Sequence, residues 1–207
     1  MSNLEARRRD VFAAVAAFGV CVSLRARAAD DRGPVAPVEA LVDGLLGVMK
    51  AGKQTPFAQR YDMLAPVIDK TFNLQAILEE SVGTSWATLP PDQQTMLEKA
   101  FRRYTVSSYV NSFHSFDGTR FEVKPETRAV GTEQVVESLI LPKSGDTHEL
   151  DYVMRQGDSG WRVVDVLADG SISRVAVQRS DFRRLLSRGG PQALADSARA
   201  KSSDLSG

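Results

Sequence analysis

Residues 161–182 constrain this chain more than any other stretch. Trp161-Arg162-Val163-Val164-Asp165-Val166 is rich in β-branched and aromatic residues and predicts a strand. Asp169-Gly170-Ser171 predicts the turn that breaks it. A second apolar segment follows, and then a helix carrying Arg179, Phe182, Arg183 and Leu186. The stretch reads as the last strand of a curved antiparallel sheet, crossing over into a helix that packs across that sheet. The rest of the chain either feeds the sheet or covers its concave face.

Three more strand candidates precede it, at 120–124, 134–141 and 149–155. Gly131, Lys143-Ser144-Gly145-Asp146 and Gly157-Asp158-Ser159-Gly160 separate them as hairpin connections. Before the strands the period is helical. Val38, Leu41, Val42, Leu45, Leu46 and Met49 form one apolar stripe, which Gly52 ends. Thr55-Pro56 starts a second helix, with a capping hydroxyl and a proline at its first position; Phe57, Tyr61, Leu64 and Ile68 share a face. Pro66 predicts a kink or break in it. Asn73 caps a short third helix bearing Leu74, Ile77, Leu78 and Val82, which Gly83 closes. Pro91 opens a long fourth helix. Its stripe of Leu97, Ala100, Phe101 and Tyr104 shifts to Val106, Tyr109, Val110 and Phe113, which predicts a broad buried side. Two final helices, about 179–187 and 191–201, are parted by Gly189-Gly190.

Helices, a strand meander and helices again predict an α+β domain: a curved antiparallel sheet of about four strands, with helices on one face. The apolar inventory between those layers also includes Phe72, Trp86, Leu139, Leu150, Tyr152, Met154 and Val164. It suits a solid core or a hollow one, and apolar stripes are ordinarily core.

The N-terminus predicts export. Arg7, Arg8 and Arg9 precede the apolar run 11–24, and Ala26-Arg27-Ala28 is an A-x-A cleavage site. The run is shorter than the roughly 20 residues of a membrane span. Arg8-Arg9-Asp10-Val11-Phe12 also resembles a twin-arginine signal, so both export routes stay open. The expected division is a signal peptide at 1–28, a flexible leader at 29–37, one domain at 38–201 and a polar tail at 202–207. Cys21, the chain's one cysteine, falls in the signal, so disulfide and thiol chemistry are excluded from the mature chain. Subtracting the signal's five arginines and two acids from 26 of each leaves 21 basic and 24 acidic residues, a balance that argues against a general nucleic-acid binder.

The search for chemistry is sparse. His114 and His148 are the only histidines and have no metal-ligand spacing, so no metal is expected. There is no G-x-S-x-G elbow and no P-loop. Asp165 shares strand parity with Trp161 and Val163 and so points inward; it reads as a carboxylate bonded to backbone or arginine, or else as an acid in a cone-shaped pocket. Arg174, Arg179, Arg183, Arg184 and Arg188 read as a solvated helix face, or as a surface for acidic head groups or an acidic partner.

Two ordered sets of residues carry a resemblance. Phe72-Asn73, Ile77, Val82-Gly83, Trp86, Pro91, Gln93, Phe101 and Tyr109 form the first; Leu97 departs from it, standing where an aromatic residue is common. Tyr152, Met154, Arg155, Trp161, Val163, Asp165, Val166, Gly170, Ser173, Arg179 and Phe182 form the second, with its W-x-V-x-D-V and R-x-x-F patterns. Behind a signal peptide, these resemble the exported lipid-shuttle family MlaC, also known as the toluene-tolerance auxiliary proteins. Leu167-Ala168-Asp169-Gly170-Ser171-Ile172-Ser173 is similar to its hopanoid-associated branch, HpnM. The resemblance implies a periplasmic carrier of phospholipid or hopanoid, without cofactor or catalysis. Its partners would be an outer-membrane lipoprotein complex and an inner-membrane ABC transporter. It also implies that the space between the layers is hollow. The lipid would contact Phe72, Trp86, Phe101, Tyr104, Tyr109, Leu139, Tyr152, Met154, Val164 and Val166. Two tails of about 16 carbons represent roughly 25 kcal/mol of burial at about 0.8 per methylene, so such a lipid does not cross water unescorted. The competing reading is an enzyme acting on a small hydrophobic molecule, with Asp165 as acid or base.

Overall fold

The structure is a computed structural model and describes residues 33–206. The segment expected to be an export signal and the first part of the expected leader lie outside the described residues. The helix α1 (Val35–Ala51) begins inside the segment read as leader, and Gly52 ends it at φ 69°. In α2 (Phe57–Thr71), Pro56 is the N-cap and not the first helical residue. The Thr55 hydroxyl does not cap it either, but donates back to the Ala51 carbonyl at 2.8 Å. Nor does Pro66 break α2. Pro66 and Asp62, four residues earlier, are both exposed, so the carbonyl left without a donor faces water.

Asn73 caps α3 (Leu74–Val82), its Oδ1 accepting from the Ala76 N–H at 3.1 Å. A 3-10 turn, Gly83–Thr88, leads to α4 (Pro91–Ser112), which has proline at its start and Asp92 in its first turn. The sheet is a meander of five strands in sequence order: β1 (Arg120–Val130), β2 (Glu133–Leu141), β3 (His148–Gly157), β4 (Gly160–Ala168) and β5 (Ile172–Ser173). The two-residue β5 was not expected. Asp169 and Gly170 both take positive φ, 50° and 66°, and Ser171 N–H donates to the Ala168 carbonyl at 3.2 Å. That is the tight hairpin turn whose twist suits flanking strands.

The last helix, α5 (Arg174–Asp204), starts five residues before the expected position because Ser173 caps it, accepting from Ala176 N–H at 2.9 Å. It also runs three residues into the segment read as tail, where Ser202 is buried. Gly189 and Gly190 carry non-helical angles and split it, as the Gly-Gly pair predicted.

The helices cover one face of the sheet. The main core joins Leu41, Leu45, Leu64, Ile68, Leu97 and Val110 of the helices to Val136, Tyr152, Met154, Val163 and Val166 of the strands. Val135, Val153 and Val164 make a small cluster on the other face. Two bulges bend the sheet. One lies in β1 between Val123 and Thr127; the other in β4 places Val164 between the pairs Met154–Val163 and Val153–Asp165. The free edge of β4 is closed in two pieces. Asn73 N–H donates to the Val163 carbonyl at 2.9 Å, making a short parallel bridge, and β5 pairs with Leu167 and Ala168.

Candidate functional site: an apolar pocket between sheet and helices

A pocket of about 300 Å³ opens between α3, α4, the β3–β4 part of the sheet and the first half of α5. Its depth follows from burial. Phe72, Ile77, Phe101, Val166 and Val175 are buried and form the floor, while Ser112 and Arg174 are exposed at the rim. One stripe of α4 supplies much of the wall: Phe101, Tyr104, Thr105, Ser108, Tyr109 and Ser112 recur at three- and four-residue steps. The adjacent face of the same helix, with Leu97, Val106 and Val110, packs into solid core. The shift of stripe seen in the sequence is therefore one helix serving a pocket and a core.

Aromatic rings stiffen the wall. Phe72 and Tyr109 lie 5.5 Å apart between centroids, Tyr109 stacks on Phe113 at 6.1 Å, and Phe101 meets Phe182 edge-on at 6.1 Å. Burial pushes the Tyr109 phenol well above its ordinary value, with Tyr152 adding to the rise and Arg174 opposing it. Burial alone raises Tyr152. Both phenols stay neutral through any ordinary pH.

Asp165 lines the pocket, yet its oxygens are occupied. Oδ1 accepts from Val166 N–H at 2.7 Å and from Val175 N–H at 3.0 Å, and Oδ2 accepts from the Ser173 hydroxyl. The carboxylate thus bridges the bulge in β4 to the start of α5. This is the backbone-bonded reading of Asp165, and it leaves the group little freedom to work as an acid or base.

Five of the ten residues expected at the lipid, Phe72, Phe101, Tyr104, Tyr109 and Val166, line this pocket. Tyr152 and Met154 are buried beneath it in solid core. Trp86 sits half-buried in the 3-10 turn, outside the pocket. Val164 and Leu139 belong to the opposite face of the sheet. Val164 packs with Val135 and Val153, and Leu139 has the strand parity of Val135 and pairs with Glu149. The bulge accounts for the position of Val164: it turns Val163 and Val166 to the same side although they are three residues apart. The sequence reading missed Leu74, Ile77, Val175 and Gln178 in the pocket. Ile77 was legible from the α3 stripe; the α5 residues were hidden by the late placement of that helix.

A second, polar pocket adjoins the first and shares Phe72 and Leu74 with it. There Arg102 grips Asp69 through two bonds of 2.7 and 2.6 Å, which raises the Arg102 pKa. The arginines of α5 do not form one free face. Arg179 donates to the Glu80 carbonyl at 2.8 Å, and Arg184 pairs with Asp181 at 2.6 Å. Among the described residues no three histidine or acidic side chains group as metal ligands, and no helix is long and apolar enough to cross a membrane.

The sequence model of the MlaC protein family matches residues 39–200. The chain belongs to the MlaC family. Among solved structures it is similar to the phospholipid-binding protein from Ralstonia solanacearum, determined in complex with a phospholipid. The TM-score is 0.73 at 20% identity, over 84% of this chain and 99% of that one. At that identity the likeness concerns the fold. No curated protein matches this chain. The matched span runs from within α1 to within the second half of α5, so the MlaC match takes in all the strands and every wall of the pocket.

Proposed function

We propose that this protein is a periplasmic lipid carrier that takes phospholipid tails into the pocket and leaves the head group at the rim. The observation that carries this reading is the pocket itself. An aromatic and aliphatic floor opens to solvent through a polar rim, in a fold shared with a protein solved around a phospholipid. Phe72, Ile77, Phe101, Tyr104, Tyr109 and Val166 are the contacts assigned to the tails. Membership of the MlaC family supports two partners, an outer-membrane lipoprotein complex and an inner-membrane ABC transporter, with the transporter supplying the energy for direction. A carrier needs no catalytic group, and the occupied oxygens of Asp165 favour it over the enzyme reading. The segment 167–173, similar to the hopanoid-associated branch, favours hopanoid as the second ligand reading.

Native mass spectrometry of the purified protein, followed by organic extraction, tests both. A co-purified mass that resolves to phospholipid is expected. A triterpenoid mass would move the ligand to hopanoid. Protein that stays empty after incubation with phospholipid vesicles would overturn the carrier.

A further inference from the structure

Arg174 is the one cation lining the pocket, and Asp165 is the one anion. The two do not neutralise each other. Asp165 has given its oxygens to Val166, Val175 and Ser173, and among the described residues Arg174 has no ion pair and no side-chain hydrogen bond. Elsewhere on α5 Arg179 is tied to Glu80 and Arg184 to Asp181, and Arg183 and Arg188, equally without such partners among the described residues, lie outside the pocket. Arg174 is exposed, so its charge stands in water at the rim while the floor below is buried and apolar. One turn on, Gln178 also lines the pocket. Its amide lies 3.2 Å from the Ser81 hydroxyl, whose one proton goes to the Ile77 carbonyl at 2.6 Å, and its NH₂ group, with two N–H bonds, keeps at least one donor for a ligand. A planar guanidinium and an amide NH₂, one helical turn apart above an apolar floor, present donors to the oxygens of a phosphate whose tails lie below.

We propose that Arg174 is the head-group contact of this pocket, fixing the phosphate of a bound lipid at the rim with Gln178 beside it. The proposal rests on the carrier reading above. Its consequence is selectivity: at equal tail length, a lipid with a phosphate is held in preference to one without.

The test incubates the full protein with vesicles containing equal amounts of phosphatidylglycerol and diacylglycerol of the same tails, then reads the ratio of the two bound lipids by native mass spectrometry. Wild-type protein should favour phosphatidylglycerol. Arg174→Glu should lower that ratio by about tenfold or more, the scale of one charge-assisted hydrogen bond. Arg174→Gln should lower it less and guards against a folding defect, which circular dichroism would reveal. Arg103→Glu, an exposed change on α4 outside the pocket, should leave the ratio alone. An unchanged ratio in folded Arg174→Glu overturns the proposal while leaving the carrier intact. Wild-type protein that loads neither lipid defeats the carrier reading instead. Inorganic phosphate alone should neither bind nor displace lipid; binding that Arg174→Glu abolishes would make this a free-anion site and overturn the head-group assignment.

Discussion

Two carboxylates on neighbouring strands meet opposite fates. Asp165 accepts three hydrogen bonds at the start of α5, whereas Asp151 on β3 is 2% exposed and leaves its Oδ1 without a partner. Arg128 approaches only to 4.0 Å. Burial raises the Asp151 pKa, and Glu149 and Glu137 raise it further. A carboxyl with a raised folded pKa holds its proton better folded than unfolded. It therefore costs nothing in acid, and its penalty grows as pH rises from the unfolded value through the folded one. Asp151→Asn removes the charge and should raise the melting temperature at pH 7. The gain should vanish near pH 3. An equal gain at both pH values in thermal melts would show that ionisation of Asp151 is not the cause.

At the scale of elements, local chemistry was legible and tertiary chemistry was not. Asn73 and Pro91 mark helix starts, and Gly52, Gly83 and the Gly189-Gly190 pair mark helix ends, because caps and glycine angles act within a few residues. Residues 169–171 predict a break in the strand, but Asp-Gly is also a hairpin signal, and here it is the hairpin that forms and adds β5. The bulge in β4 had no local signature. It depends on β3 opposite and on Asn73 alongside, which sequence parity does not register. That is why parity with Val166 predicts Val164 on the helix side while the bulge turns it to the other face. A paired substitution tests the new assignment. Val166→Arg should abolish lipid loading while circular dichroism still reports a folded chain, and Leu139→Glu, on the far face, should load normally. Loading lost at Leu139 and kept at Val166 would reverse the two faces of the sheet.

For the molecule as a whole, volume sets a condition. Two tails of about 16 carbons, at about the 30 Å³ share of a water molecule per methylene, displace roughly 960 Å³, and a pocket floored by buried side chains takes such a cargo more easily when one wall can give. The first half of α5, up to the break at Gly189, is the wall best placed to yield, because Gly190 at φ 65° already interrupts the helix. Hydrogen exchange should differ between lipid-free and lipid-loaded protein most strongly in residues 174–188, and less in the second half of α5, where Leu194, Ala195 and Ala198 are buried. Uniform protection along α5 in both states would place the movement elsewhere.

The divided closure of β4 has a further effect. A sheet of five strands has two margins, and a bare margin invites stacking of chain on chain into fibres. Here one margin is occupied by Asn73 and β5, and the other, β1, carries Pro125 and the charged residues Glu122, Lys124, Glu126 and Arg128. Neither side offers a flat ladder for a second copy to extend, so a molecule that opened between its layers would still expose no template for aggregation.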